Sequence, residues 1–215
     1  MLDYSVKLKI ISSSPANAVI IPQARHQKIN KRDPKQEYYT KNELRQFLKC
    51  AYDFDNYQAY TFFRLLAFSG IRKGEALALD WNNVDFKSGK IKINKTQSNG
   101  DNRLVVQTTK TENSDREIYI DSKTISILHH WKQEQRIKLF AFGFNSDTPN
   151  QLVFASAKNE MHNPNKPRVW LHQICRKYVI KTIPIHGFRH TYATLAIEGG
   201  IQPKQLQEQL GPFGY

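Results

Sequence analysis

The chain is poor in acidic side chains, in cysteine and in long apolar runs. Aspartate and glutamate total 19 against 32 lysines and arginines in 215 residues, a formal charge of +13. Such an excess favours a polyanionic partner, nucleic acid being the commonest, although a generally basic, solvated surface would give the same sum. Cys50 and Cys175 are the only cysteines, and each sits in a helical pattern. No disulfide framework is expected from them, and a reducing interior suits them better. No run approaches the ~20 apolar residues that span a bilayer, and no signal peptide heads the sequence, so a soluble, cytoplasmic protein without membrane contact is expected. A glycine-rich phosphate loop ending in Lys-Ser/Thr is absent, as is a clustered pair of acids for magnesium. A phosphodiester, if that is the partner, must be handled by the protein's own side chains.

What is present divides unevenly along the chain. Residues 1–14 read as the end of a helix (Leu2, Val6, Leu8, Ile10, Ile11) that stops in Ser12-Ser13-Ser14-Pro15. Residues 15–36 carry Pro22, Pro34 and a run of basic side chains with little periodicity, which predicts a linker. A lone helix cannot bury its apolar face, so 1–14 is expected to be the remnant of an upstream domain. From 37 to 215 the pattern is that of one domain. Thr40 with Glu43 three residues on predicts a capping box opening a helix to about Tyr52. An apolar helix over roughly Gln58–Ser69 ends at Gly70, and another starts at Arg72. The period then becomes two: Lys90–Thr96, Leu104–Val106 and Arg116–Ile120 predict three short strands in an antiparallel meander. Asp121 and Ser122 cap a long helix to about Phe140, and further helices are expected over 164–179, from His186 to Gly199, and from Pro203 to Gly211. The fold class predicted is mainly α with a small three-stranded antiparallel sheet.

The densest group of chemical side chains is Ile185-His186-Gly187-Phe188-Arg189-His190-Thr191-Tyr192-Ala193-Thr194-Leu195-Ala196. His186, Arg189 and His190 fall on one helical face, with Phe188, Tyr192 and Leu195 on an apolar face beside it. An arginine and imidazoles at a helix entrance suit a phosphate. The His186–His190 spacing also occurs in zinc sites, but the activating glutamate is replaced by Gly187, Arg189 would repel a dication, and no third ligand lies nearby. No metal is expected. Upstream, Arg72 emerges from a turn after a buried helix, and Glu75 is placed to brace it, although a plain surface Arg-Glu pair has the same spacing. Lys110 lies on the connection between the second and third strands, where a solvated loop lysine is the ordinary reading.

Taken in order, Gly70-Ile71-Arg72-Lys73-Gly74-Glu75, then Thr109-Lys110-Thr111 with Ser114 and Arg116, then His186-Gly187-Phe188-Arg189-His190 resemble the catalytic domain of the tyrosine recombinases, the phage and transposon integrase family. The resemblance runs from about Tyr39 to Gly211. It implies site-specific recombination of double-stranded DNA through a phosphotyrosine intermediate, without metal or cofactor. It further implies that Arg72 and Arg189 clamp the scissile phosphate, that Lys110 protonates the leaving 5′-oxygen, and that His186 assists proton transfer. Glu75 and His190 match supporting positions, and other protomers on the DNA are the implied partners.

Past that point the sequence departs from the family pattern. A Leu-Gly-His box with a tyrosine about nine residues later is implied, whereas this chain reads Leu210-Gly211-Pro212-Phe213-Gly214-Tyr215. Pro212 offers no donor where the histidine belongs. Tyr215 stands too close to serve as nucleophile, and Tyr192 matches an apolar position. The expectation is a catalytic domain truncated before its nucleophile, inactive as it stands and bacterial or phage-encoded. The other readings are a degenerate module that binds DNA or a partner integrase without chemistry, and a type IB topoisomerase.

Overall fold

The computed structural model describes residues 36–99, 104–108, 115–148 and 150–211. The expected remnant at 1–14, the linker short of its last residue, Lys110 and Tyr215 lie outside the described residues. Helix α1 (Lys41–Tyr52) opens on the predicted capping box: Thr40 N–H donates to Glu43 Oε2 at 2.7 Å, and Glu43 N–H to Thr40 Oγ1 at 3.3 Å. Helix α2 (Tyr57–Ser69) is buried along most of its length and stops at Gly70, whose φ of 66° lies in the left-handed region that glycine enters at no cost. A six-residue helix α3 (Lys73–Ala78) follows. After the strands come α4 (Ser122–Ala141), capped by the Asp121 carboxylate, then α5 (Lys166–Tyr178), α6 (Gly187–Glu198) and α7 (Pro203–Leu210). Pro167 and Pro203 occupy first turns, where a missing N–H costs nothing.

Helix α2 is the spine against which α1, α3, α4 and α6 pack. Aromatic contacts fix α6 to it. Phe188 stacks on Phe63 with centroids 5.1 Å apart and meets Phe47 edge-on at 5.2 Å, while Tyr39 stacks on Phe47 at 5.3 Å. All four rings are essentially excluded from water, and each such pair adds about 0.5–1.5 kcal/mol beyond its buried area. Because Phe188 lies between His186 and Arg189, this cluster also sets where those two residues emerge.

The strands do not form the predicted meander. Strands β1 (Val84–Asp85), β2 (Lys90–Ile93) and β5 (Arg116–Tyr119) make an antiparallel sheet in the order β1-β2-β5, with Ile91 opposite Ile118 and Ile93 opposite Arg116. Strands β3 (Lys95–Asn99) and β4 (Leu104–Thr108) form a separate hairpin. The stretch 90–96 thus breaks at Asn94. Just after the break, Lys95 Nζ is bound at 2.7 Å to the buried Asp80 carboxylate. At Gly74 a Cβ would stand 2.6 Å from the Gln97 carbonyl oxygen and 2.8 Å from Thr96 Oγ1, so the bare glycine lets β3 lie directly on α3. Alternation reports which face of a strand is buried and is silent about its partner.

Candidate active site

Arg72 is placed by a turn and a carboxylate. The left-handed Gly70 ends α2, and Arg72 stands at the N-cap of α3. Its backbone N–H donates to Glu75 Oε2 at 2.8 Å and its Nη1 to Glu75 Oε1 at 3.0 Å, the bracing that the spacing suggested. Glu75 is buried, yet it carries a second, bidentate partner: Arg116 reaches Oε2 through Nη2 at 2.8 Å and Oε1 through Nη1 at 3.1 Å. Burial pushes the Glu75 carboxyl upward, but the bonds and charge of Arg116, reinforced by Arg72, outweigh it and hold the group below the usual carboxylate range. Glu75 is therefore a charged, fully engaged anchor.

Arg189 comes from α6. Its side chain is buried and Nη1 donates at 2.8 Å to the carbonyl oxygen of Gly70, the turn that launches Arg72. Burial first, and then the positive charge of Arg72, lower the Arg189 pKa to about 10, which leaves the guanidinium charged at neutral pH. The rings of His186 and His190 meet edge-on with centroids 4.7 Å apart. Burial, followed by His190, Arg189 and Arg72, depresses the His186 pKa, so a neutral imidazole is favoured. At the start of α6 the N–H groups of Gly187, Phe188 and Arg189 donate to the carbonyls of Pro184, Ile185 and His186. A phosphate here would consequently be met by side chains rather than by helix amides.

These residues converge on a cleft of about 290 Å³ lined by Ile71, Arg72, Lys73, Gly74, Ile185, His186 and Arg189. Two cationic forks beside a neutral imidazole can bind an oxyanion, stabilise added charge on it, and accept or relay a proton. A larger concavity, about 930 Å³, lies elsewhere, between α1, α2, α4 and the end of α6, and its apolar lining is edged by Lys41, Arg45, Lys49, Arg64 and Lys123. Of the sequence-predicted residues, Arg72, Glu75, His186, Arg189 and His190 are brought together, whereas Lys110 and Tyr215 lie outside the described residues. Tyr192 does not line the cleft. Its ring lies against Gly70 and joins the apolar cluster of Ala196, Leu206 and Leu210, as its apolar position implied.

Arg116, part of the motif that carries the resemblance but without a role assigned there, is the residue that anchors Glu75. One signal was available: Arg116, Ile118 and Ile120 share a strand face, and a charged residue in phase with two buried isoleucines needs a buried partner.

A model of the phage integrase family matches residues 37–211. The ICEBs1 integrase of Bacillus subtilis (strain 168) is 27% identical over 214 residues, covering 89% of this chain and 55% of its own length. Among solved structures, a Tn1549 transposon integrase in complex with a circular intermediate DNA is similar with a TM-score of 0.70 at 16% identity, over 97% of this chain and 66% of that one. The XerA recombinase is similar with a TM-score of 0.64 at 20% identity, over 82% and 56%. The chain spans about half the length of the curated relatives it matches.

Proposed function

The chain belongs to the phage integrase family, and from that premise we propose that its cleft holds the scissile phosphate of duplex DNA during site-specific breakage and rejoining. The observation that carries the reading is the convergence of Arg72, Arg189 and His186, from two distant segments, on one small cleft. Attack by a tyrosine hydroxyl on phosphorus forms a 3′-phosphotyrosyl bond and breaks the bond to the 5′-oxygen. Negative charge grows on the non-bridging oxygens, and the guanidinium forks of Arg72 and Arg189 neutralise it in place, without a metal. His186, neutral because its pKa is depressed, is able to take the proton that the attacking hydroxyl releases. Lys110, by its match to the family, gives the leaving 5′-oxygen its proton. Glu75 and His190 support the arginine and the imidazole.

The partners in this reading are double-stranded DNA and further recombinase protomers assembled on it, in the cytoplasm of a bacterium. The Tn1549 integrase structure holds DNA. No helix among the described residues is long and apolar enough to cross a membrane. Among the described residues no tyrosine lines the cleft, so in this reading these residues bind and activate the phosphate without themselves supplying the nucleophile. Fluorescence anisotropy on a labelled duplex across a salt series tests the reading, with slope contributions of about 0.9 per phosphate engaged. Arg189→Ala should weaken binding and reduce that slope while the circular dichroism spectrum is kept. A flat salt dependence in the unmodified protein would overturn the proposal, and a denaturation-resistant adduct with a nicked suicide duplex would overturn the expectation that the chain is inactive as it stands.

A further inference from the structure

Arg116 is almost inaccessible, its side chain 8% exposed, and it is not part of the cleft wall, yet it joins strand β5 to α3 and to the end of α7. Its fork closes on both oxygens of Glu75. Its Nε donates at 3.0 Å to the carbonyl oxygen of Gln209 in the last turn of α7. Gly211, just past that helix, lies flat over the guanidinium: a Cβ there would stand 3.2 Å from Nη1 and 3.3 Å from Cδ and Cζ. The Glu75 carboxylate is thus shared, each oxygen taking one bond from Arg72 and one from Arg116.

We infer that Arg116 is a positioning residue that aims Arg72 into the cleft through Glu75, an inference that rests on the phosphate-clamp reading above. A carboxylate held by Arg72 alone can rotate about its last side-chain bond and pull the guanidinium with it. A rigid fork on both oxygens fixes the carboxylate plane, and with it the direction from which Arg72 Nη1 is held. The charge balance acts the same way. With two guanidiniums around it, Glu75 leaves Arg72 with net positive charge to offer an anion, whereas with Arg72 as sole counter-ion the buried carboxylate draws that charge inward. A lysine cannot take the place of Arg116, because one ammonium is a point donor and cannot bridge both oxygens in a plane.

The duplex-binding salt series reads this directly. Arg72→Ala should lower the slope by about one phosphate equivalent and weaken binding about tenfold or more. Arg116→Gln, which cannot touch DNA, should do the same, and the Arg72→Ala/Arg116→Gln double variant should lose no more than either alone. Arg116→Lys should remain defective although the charge is restored. Additive losses in the double variant, an unchanged slope in Arg116→Gln, or full rescue by lysine would each overturn the inference. Should Arg116→Gln fail to fold, Glu75→Gln/Arg116→Met removes both buried charges and should show the same slope loss, a wild-type slope then overturning the inference.

A failure of the underlying reading looks different, because the unmodified protein would then show no salt-dependent binding. In that event the imidazole titration of His186 by NMR, which needs no DNA, still reads where Arg72 stands. Arg72→Ala and Arg116→Gln should each move it upward, and the double variant no further; a His186 titration that Arg116→Gln leaves in place would overturn the inference.

Discussion

Replacing Gly187 by alanine sets two physical effects against each other, and the structure decides their sign. Gly187 is the first residue of α6, and exchange of a helical glycine for alanine favours the helix by up to about 1 kcal/mol. A Cβ at this position, however, would stand 2.1 Å from the carbonyl oxygen of Glu37 and 3.0 Å from Ile183 Cδ1. The first neighbour is backbone, so no side-chain rotation relieves the overlap, and the 37–39 segment has to retreat by roughly 1 Å to reach ordinary contact. That retreat breaks the bond from Tyr39 N–H to Thr191 Oγ1, 2.9 Å long between buried groups, and loosens the Tyr39 hydroxyl from the Lys181 carbonyl at 2.7 Å. Each lost bond costs about 1 kcal/mol, and stranding the buried Tyr39 donor about 1–3 kcal/mol. The net expectation is a destabilisation of about 2–3 kcal/mol after the helical gain is subtracted. Urea unfolding at neutral pH measures it, as a lower midpoint with an unchanged m-value. A Gly187→Ala protein as stable as the parent, or more so, would refute the reasoning, since helix preference alone gives that result.

Two further outcomes follow from other positions. Val179 closes α5 in the left-handed region, φ 51° and ψ 48°, with 91% of its surface exposed, so Val179→Gly gives up little packing and should raise the urea free energy by about 0.5–1 kcal/mol; no gain would mean that the valine side chain contributes contacts of its own. Burial, followed by the charge of Lys166, pushes His162 down to about 4, below its ordinary 6.5. The unfolded chain then binds more protons between those values, so stability is fully present above about pH 6.5 and declines as the pH falls towards 4. His162→Gln should flatten the fall in urea midpoint between pH 7 and pH 4.5, and an equal fall in both proteins would assign the acid sensitivity elsewhere.

Features written in neighbouring residues were legible in the sequence. Thr40 with Glu43, Asp121 before α4 and Gly70 after α2 mark helix ends because capping is a contact within one turn. Arg72 and Glu75 are likewise one helical turn apart. The convergence of Arg72 with His186 and Arg189 was accessible only through the family resemblance, since nothing local to either segment refers to the other. Contacts made across the fold were hidden for the same reason. Arg116 reaches Glu75 over 41 residues, and Gly187 meets Glu37 through a glycine whose significance is the side chain it lacks. The pairing of β2 with β5 is written in neither strand alone, but the break after β2 has a local sign, since the alternation of Lys90–Ile93 ends in the all-polar Asn94-Lys95-Thr96.

Gly70 has a consequence for how steady the clamp is. Its φ is positive, a Cβ on it would lie 2.5 Å from both Tyr192 Cδ1 and Leu210 Cδ2, and its carbonyl holds Arg189. Only Ile71 separates this peptide from Arg72, so one arginine grows from the stretch of main chain that the other grips. The spacing of the two cations is then gauged by a few covalent bonds and one hydrogen bond instead of by the whole breadth of the domain. The bond from Arg189 ties the tip of one arginine to the turn that carries the other. The protein has in effect a short ruler built into its cleft, and the graduation is a residue without a side chain.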